Sequence, residues 1–378
     1  MSPLVIDVHS AVDLRDVVHR AVQAIAEGQL VAFPTETVYN LAVSALNEDA
    51  VERLLRVKGR ESAGPLTLAI KSVDDALDYV PVFSGLGQRL ARRCWPGPVT
   101  LVFRDDHPDS LLKRLPPRVQ QVVLPQQTVG LRVPAHPLIL DVLRLIPGPL
   151  ALSSANRRGC RAAVTGDEVV AELGDEVDLV LNDGRCQFAQ QSSVVRVDGN
   201  EMEVIRAGVV SAETLGRLSS MLILFVCTGN TCRSPMAETI CRRLLAEKLH
   251  CRDEELEDRG VVISSAGTSA GEGGGATTEA MEIMTEMGMD LGGHATQPVN
   301  DRLIKHADVI FTMTRGHRHA LLARWPDAAN RTYLLSPDEM DVADPIGGPR
   351  ELYRRCAEQI QTAIRQRLDE LTFPESSK

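Results

Sequence analysis

The sequence predicts an α/β protein with two domains. Its 378 residues exceed what a single hydrophobic core usually supports, so a joint between two cores is expected near the middle. Short apolar runs alternate with helical patterns along the whole chain. In the first half these runs favour a mixed, twisted sheet, and in the second half they favour a doubly wound parallel sheet.

The N-terminal pattern begins with a helix over residues 12–27, where apolar side chains recur at helical spacing, and a buried strand follows at 30–33. Further strand-like runs lie at 99–103, 129–134, 149–154, 177–183, 192–197 and 202–208. Helical patterns separate several of these runs. We therefore expect a mixed-sheet domain over residues 1–212.

A second pattern begins at Met221, after a polar passage at 213–220 that is expected to be a linker. From there, helical segments alternate with strands predicted at 222–226, 260–267, 307–313 and 332–336. A closing helix over 351–371 has one apolar face. This order predicts a parallel sheet wrapped by helices over residues 221–378.

The composition restricts the partners of the chain. Its net charge of −10 argues against broad attraction to nucleic acid or to an anionic membrane. The 8 cysteines include no Cys-x-x-Cys pair and no Cys/His cluster at zinc spacing, which favours free thiols, no metal site and a reducing compartment. The N-terminus does not read as a secretory signal, and no apolar run is long enough to span a membrane. We expect a cytoplasmic protein.

The stretch LFVCTGNTCRSPMAE, residues 224–238, carries the clearest chemistry. Cys227 ends an apolar strand and Ser234 begins a helix, so the loop between them lies where open α/β sheets bind ligands. Loop N–H groups and the helix N-terminus suit an anion, and the planar fork of Arg233 suits a phosphate. The same positive field favours a thiolate nucleophile at Cys227.

The Cys-x5-Arg spacing followed by serine resembles the phosphate-binding loop of the low-molecular-weight protein-tyrosine-phosphatase family. The segments 264–268, 307–317 and 341–348 follow in the order of that family. The resemblance implies in-line attack of Cys227 on phosphorus, with Arg233 binding phosphoryl oxygens and Asp344 as general acid. It implies a phosphoprotein substrate and no cofactor. The implied phosphate loop contains Thr228, Gly229, Asn230, Thr231, Cys232 and Ser234.

The substrate class depends on Thr231. The loop resembles that of the bacterial protein-arginine-phosphatase branch, in which threonine takes the place of a bulkier isoleucine, and this favours phosphoarginine over phosphotyrosine. The acid loop, 344–348, lacks the paired tyrosines of eukaryotic relatives, and Ile346 weakens stacking against a phosphotyrosine ring. A thiol redox sensor that uses Cys227 and Cys232, or a protective disulfide between them, stays open.

The first half contains a collinear series of motifs: FPTETVYNLA at 33–42, KGR at 58–60, and the runs at 95–103, 131–137, 153–156, 192–195 and 205–208. Together they resemble the threonylcarbamoyl-AMP synthase family. The resemblance implies that ATP, L-threonine and bicarbonate are condensed to threonylcarbamoyl-adenylate and pyrophosphate, the first stage of the t6A modification of tRNA. It implies Mg²⁺ on the triphosphate and indirect tRNA-modification partners.

Two sets of residues match positions of that family. The implied threonine site contains Thr37, Arg132 and Ser192, and the guanidinium of Arg132 suits the amino-acid carboxylate. The implied ATP site contains Lys58, Arg60, Ser154, Asn156 and Arg206.

The first half also departs from the family pattern at several positions. Asn40 and Ala42 replace glycines, Glu61 a proline, Gly64 an asparagine and Ala69 a histidine, and 183–185 reads Asp-Gly-Arg instead of Asp-Gly-Gly. Asparagine at position 40 suits a turn that needs a positive φ. The alternative to a synthase is a non-catalytic module that binds nucleotide or RNA.

Overall fold

The computed structural model describes residues 2–59 and 65–373. The chain divides into two compact units, Met1–Leu215 and Gly216–Lys378. Of the positions singled out above, Arg60, Glu61 and Gly64 lie outside the described residues. Among the described residues, no helix combines the length and apolar character needed to cross a membrane.

The first unit contains a mixed sheet with helices between its strands. Its helices are α1 (Leu14–Ala26), α2 (Glu48–Lys58), α3 (Val73–Tyr79), α4 (Gly85–Cys94), α5 (Pro117–Val123), α6 (Pro137–Leu145), α7 (Gly166–Leu173) and, across the division between the units, α8 (Ala212–Ser219). Its strands are β1 (Leu4–Asp7), β2 (Val31–Phe33), β3 (Asn40–Ser44), β4 (Thr67–Ala69), β5 (Val99–Arg104), β6 (Thr128–Arg132), β7 (Leu150–Ser154), β8 (Leu179–Asn182), β9 (Ser193–Asp198) and β10 (Glu201–Arg206).

This sheet confirms the predicted mixed topology. It has ten strands in the order β1-β8-β2-β3-β7-β4-β6-β5-β9-β10. The pairs β4–β6 and β5–β9 are parallel, whereas β3–β7 and β5–β6 are antiparallel. The register places Asn40 opposite Ser154 and Ala69 opposite Arg132. The predicted binding residues Arg132 on β6 and Ser154 on β7 therefore lie on the two strands that flank β4.

The second unit contains a smaller parallel sheet, as predicted. Its strands are β11 (Met221–Cys227), β12 (Val261–Gly267), β13 (Val309–Thr312) and β14 (Thr332–Leu334). Its helices are α9 (Arg233–Leu249), α10 (Thr278–Glu286), α11 (Asp301–His306), α12 (Arg315–Arg324) and α13 (Arg350–Glu370). The four strands are all parallel in the order β12-β11-β13-β14, so β11 is an interior strand. Every residue of β11 is buried, which explains its unbroken apolar sequence.

Three strands were not among the sequence predictions. β1 and β4 contain 4 and 3 residues and so offer no measurable alternation, and β3 begins with the polar Asn40. The passage 213–220, predicted as a linker, contains most of α8, and the division between the units falls after Leu215.

Candidate active sites

The phosphate loop of the second unit lies between β11 and α9, as the sequence indicates. Cys227 is the last residue of β11 and is 1% exposed, and α9 begins at Arg233. The Asn230 N–H donates to Cys227 Sγ over 3.3 Å, and Ser234 Oγ lies 3.0 Å from the same sulfur. The sulfur of Cys227 therefore lies within hydrogen-bond distance of one backbone N–H and one hydroxyl at the start of α9.

Asn230 holds the loop in an unusual backbone conformation. Its φ is 56°, in the left-handed region that asparagine tolerates better than most residues. Its side-chain amide donates to Ser234 Oγ and to Ser265 Oγ, each at 2.9 Å, and its Oδ1 accepts the N–H of Gln297 at 2.9 Å. Asn230 therefore fixes the curvature of the loop and links it to β12.

Three further residues support the same loop. The carbonyl of Asn230 lies 2.7 Å from Nε2 of His294, and Ser265 Oγ donates to Glu238 over 2.7 Å. Gly267 allows close approach, because a Cβ at this position would lie 2.4 Å from the carbonyl oxygen of Thr228. Sequence reasoning did not single out His294, Glu238 or Gln297, because their role depends on contacts between distant segments.

The fold brings together Arg233 and Asp344, two predicted catalytic residues that are 111 positions apart in the sequence. Arg233 is 4% exposed, and its Nη2 donates to Asp344 Oδ2 over 2.5 Å, whereas the Asp344 side chain is 45% exposed. The Nε of Arg233 is buried and has no hydrogen-bond partner in the described part of the chain. An orphaned donor next to a loop of N–H groups suits an anion that would satisfy it.

Thr228 contacts His317, another residue that the sequence predictions missed. Thr228 Oγ1 lies 2.8 Å from Nε2 of His317. Burial, and after it the charge of Arg233, lowers the pKa of His317 to about 4. The imidazole is therefore neutral near physiological pH.

The loop cysteines are both free thiols. All 8 cysteines of the chain are unpaired, including Cys227 and Cys232. Burial raises the pKa of Cys232, and the nearby Cys227 raises it further. A thiol that is difficult to ionise is a poor partner for rapid disulfide exchange, which weighs against a primary redox function. Thr231, between Gly229 and this cysteine in the loop, accepts the N–H of Thr277 at its carbonyl over 2.8 Å.

In the first unit, a cavity of about 240 Å³ gathers six of the eight residues predicted to bind threonine or ATP. They are Thr37, Lys58, Arg132, Ser154, Ser192 and Arg206. Asn156 contacts one of them, Lys58, and Arg60 lies outside the described residues. Side chains from six separate segments thus converge on one concavity, which is the usual setting of a ligand site.

Arg132 is held by a buried carboxylate that the sequence predictions missed. Its Nη2 donates to Glu36 Oε1 over 2.7 Å and to Thr37 Oγ1 over 2.9 Å. The side chains of Arg132 and Glu36 are 4% and 5% exposed. Glu36 also accepts the N–H of Ala135 over 3.0 Å. The ion pair therefore fixes the guanidinium against one wall of the cavity.

Two more cations face the cavity. Burial, followed by the charge of Arg132, lowers the pKa of Arg206, so the two guanidinium groups are close enough to repel each other. Arg206 donates to the carbonyl of Ser192 at 2.9 Å and to its Oγ at 3.0 Å. Lys58 Nζ donates to Ser154 O at 2.9 Å and to Asn156 Oδ1 at 2.9 Å, and burial lowers its pKa. Cations held together in this way favour a polyanionic ligand.

Asn40 has an ordinary extended backbone conformation. Asn40 does not occupy a positive-φ turn, because it is the first residue of β3 and its pairing with Ser154 on β7 requires an extended backbone. Its side-chain amide instead donates to Val38 O over 2.9 Å. Ala69 is buried on β4, and Arg185 is exposed after the left-handed Gly184, whose φ is 71°.

Comparisons with known proteins divide the chain in the same way. Residues 23–208 match the family model described as "Telomere recombination", the Sua5/YciO/YrdC family. Residues 222–375 match the model described as "Low molecular weight phosphotyrosine protein phosphatase".

Curated relatives and a solved structure agree with these matches. A Mycobacterium tuberculosis protein named putative threonylcarbamoyl-AMP synthase is 33% identical over 198 residues, which cover 52% of this chain and 87% of the relative. A Geobacillus stearothermophilus protein named protein-arginine-phosphatase is 36% identical over 146 residues, which cover 38% and 90%. The structure of a variant of Pyrococcus abyssi Sua5 has a TM-score of 0.51 at 22% identity and covers 88% of this chain and 98% of that one, which shows a similar fold.

The fold and the comparisons define a two-domain α/β protein whose halves match two families of enzymes. The chain belongs to the threonylcarbamoyl-AMP synthase family through its first half and to the low-molecular-weight phosphatase family through its second half. It spans about half, 54%, of the length of two other synthase relatives, from Pyrococcus abyssi and Bacillus subtilis.

Proposed function

We propose that the protein is a bifunctional enzyme, with an L-threonylcarbamoyladenylate synthase and a cysteine-dependent protein phosphatase in one chain. The observation that carries the phosphatase is the thiol of Cys227 in contact with the Asn230 N–H and the Ser234 hydroxyl, beside a buried Arg233. The observation that carries the synthase is the single cavity lined by residues of both the threonine set and the ATP set.

The phosphatase reaction proceeds in two displacements. The Cys227 thiolate attacks phosphorus, the S–P bond forms as the P–N bond of phosphoarginine breaks, and Asp344 gives its proton to the leaving nitrogen. Water then attacks phosphorus and gives a proton to Asp344, the S–P bond breaks and inorganic phosphate leaves. Arg233 and the loop N–H groups stabilise the phosphoryl oxygens in both steps. No cofactor takes part.

Phosphoarginine is the proposed substrate class, with phosphotyrosine as the alternative. The arginine-phosphatase relative supports it, as does the small Thr231 in the loop. Ile346, two residues after the general acid, is 61% exposed and presents an aliphatic side chain in place of an aromatic ring. An aliphatic surface suits the methylene stem of arginine and offers a phosphotyrosine ring no stacking partner.

Turnover of phosphoarginine and phosphotyrosine peptides by the full chain tests this proposal. We expect a higher kcat/KM for phosphoarginine, and the Thr231→Ile variant should shift the ratio towards phosphotyrosine by narrowing the loop. The Cys227→Ser variant is the control and should be inactive on both. Activity retained by Cys227→Ser would disprove the nucleophile, and an unchanged ratio in Thr231→Ile would disprove the role of Thr231.

The proposed synthase takes ATP, L-threonine and bicarbonate. Arg132, Thr37 and Ser192 would bind threonine, whereas Lys58, Arg60, Ser154, Asn156 and Arg206 would bind the nucleotide. The described residues that line the cavity include no carboxylate, so Mg²⁺ would enter with the triphosphate and be held mainly by its oxygens. The product would serve t6A modification of tRNA through a separate transferase, which makes contact with tRNA indirect.

Pyrophosphate release decides between the synthase and a non-catalytic binding module. We expect release from ATP that depends on both threonine and bicarbonate, and its loss in Arg206→Met, which keeps length but removes the cation. Binding of ATP without threonine-dependent pyrophosphate would favour the module. We also propose the cytoplasm as the compartment, which the 8 free cysteines support.

A further inference from the structure

A buried histidine outside the phosphate loop contacts the residue that follows the nucleophile. His317 lies in the first turn of α12 and is 8% exposed. Its Nε2 lies 2.8 Å from Thr228 Oγ1, and its Nδ1 lies 2.9 Å from Thr314 Oγ1. A neutral imidazole has one donor nitrogen and one acceptor nitrogen. One threonine must therefore donate to the ring, and the other must accept from it.

Thr314 determines the direction of both hydrogen bonds. Its Oγ1 is the N-cap of α12 and already accepts the N–H of His317 over 3.2 Å. In the described ranges, Nδ1 is the sole acceptor that the structure offers to the hydroxyl proton of the half-buried Thr314. When Thr314 donates to Nδ1, the ring proton is on Nε2 and is donated to Thr228. The opposite tautomer would leave the hydroxyl of the half-buried Thr314 without an acceptor. This costs more free energy than leaving the hydroxyl of the exposed Thr228 without a protein acceptor, because water can accept from Thr228.

The surroundings of His317 keep this ring neutral. Burial and then the Arg233 cation lower its pKa to about 4, while the carboxylates of Asp344 and Asp341 act in the opposite direction. Arg233 lies on α9, Asp344 lies in the acid loop and Asp341 lies three residues before it.

We propose that His317 is a positioning residue that keeps the Thr228 hydroxyl available as a donor to the phosphoryl group of the substrate. Thr228 is exposed, directly follows Cys227 and, in the part of the chain that is described, contacts no group other than His317 through Oγ1. Because its oxygen accepts from Nε2, its own proton is free, and phosphoryl oxygens are strong acceptors. This inference rests on the proposed phosphatase function and adds a side-chain donor to the loop N–H groups.

The tautomer can be measured without any turnover. Proton–nitrogen correlation NMR of the full chain, with the His317 ring assigned by its loss in His317→Gln, should show a protonated Nε2 and an unprotonated Nδ1 at neutral pH. A proton on Nδ1 would overturn the inference, because the Thr228 hydroxyl would then donate its proton to Nε2 of His317 and could not donate to a phosphoryl oxygen.

The hydroxyl of Thr228 is tested by an isosteric change. Thr228→Val should lower kcat/KM for para-nitrophenyl phosphate by roughly 10- to 100-fold, the usual effect of losing a hydrogen bond to a charged group. Thr228→Ser should recover most of this loss. Thr362→Val, which removes the hydroxyl of an exposed helix residue on α13, is the control and should not change the rate. Full activity in Thr228→Val would contradict the inference.

A double-mutant cycle separates positioning from a purely structural role. If His317 acts through Thr228, the Thr228→Val/His317→Leu double variant should be no slower than Thr228→Val alone. Losses that add would mean that His317 acts in another way and would contradict the inference. If the wild-type chain hydrolyses neither phosphoarginine nor a phosphoester, the proposed function fails, and calorimetric binding of inorganic phosphate by the same variants still tests the donor.

Discussion

In the proposed phosphatase reaction, Asp344 competes with the substrate for Arg233. Its carboxylate is paired with Arg233, the cation that the phosphoryl group must also use. An incoming phosphate therefore has to displace one carboxylate from Arg233 before the same carboxyl group can act as the general acid. Ground-state binding and acid catalysis place opposite demands on this one side chain.

Replacing Asp344 with asparagine should separate these two demands. Asp344→Asn is expected to lower kcat by roughly 10²- to 10⁴-fold, because the general acid is lost. The same change should tighten binding of inorganic phosphate, because a negative charge next to Arg233 has been removed. Steady-state kinetics and calorimetry measure the two effects. Asp338→Asn, an equal charge change at an exposed residue of the preceding loop, is the control, and weaker phosphate binding by Asp344→Asn would contradict the argument.

The depressed pKa of His317 also predicts a pH dependence of stability. The folded ring binds its proton near pH 4, whereas the unfolded ring binds it near its ordinary value of 6.5. Between these values the unfolded state holds more protons, so the stabilising contribution of His317 is complete above pH 6.5 and is lost as the pH falls towards 4. The loss should reach roughly 3 kcal/mol at most.

Chemical denaturation of wild type and His317→Gln across this pH range measures the effect. The difference in unfolding free energy between the two proteins should shrink as the pH falls, since glutamine does not titrate. A difference that is independent of pH would mean that His317 is not buried as a neutral group.

The elements of the first unit are joined by the Arg132–Glu36 pair, which links the segment between β2 and β3 to the end of β6. Because both groups are almost fully buried, removing one leaves the other uncompensated. Glu36→Ala should therefore destabilise the first unit by about 3–5 kcal/mol. Glu203→Ala, which breaks the exposed pair with Arg196, should cost no more than about 1 kcal/mol.

Tryptophan fluorescence can isolate this effect in the two-domain chain. The chain has 2 tryptophans, and Trp95 of the first unit is 1% exposed. In a Trp325→Phe background, the urea unfolding curve followed at Trp95 reports the first unit alone. If Glu36→Ala and Glu203→Ala lowered the unfolding free energy of the first unit equally, the buried Arg132–Glu36 pair would contribute no more to stability than the exposed Arg196–Glu203 pair.

At the scale of elements, the sequence predicts long or strongly patterned segments. It does not predict short strands whose formation depends on pairing with distant segments. β11 and α13 follow from an apolar run and a continuous apolar stripe. β4 has 3 residues, and its existence depends on β6 and β7, which are more than 50 positions away. His317 and Glu36 were not predicted for the same reason. The contact of His317 with Thr228 spans 89 positions and that of Glu36 with Arg132 spans 96, so neither leaves a local sequence pattern.

At the scale of the whole molecule, each unit has its own sheet and its own candidate site. The ten strands of the first sheet all lie before residue 207, and the four strands of the second all lie after residue 220. Among the described residues no strand is shared, and each set of predicted binding residues lies within one unit. The two proposed reactions also share no intermediate, so neither chemistry needs the other.

This separation predicts that the two halves function independently. Fragments 1–220 and 221–378 should each fold cooperatively by circular dichroism, because each keeps a complete sheet and core. They should retain, within a few-fold, the pyrophosphate release and the phosphatase turnover of the full chain. Fragment 1–190 is the control: it lacks β9 and β10, leaves an edge of β5 unpaired and removes Ser192 and Arg206 from the cavity, so it should neither fold stably nor release pyrophosphate. If fragment 1–220 were inactive while the full chain was active, the first site would depend on residues of the second unit.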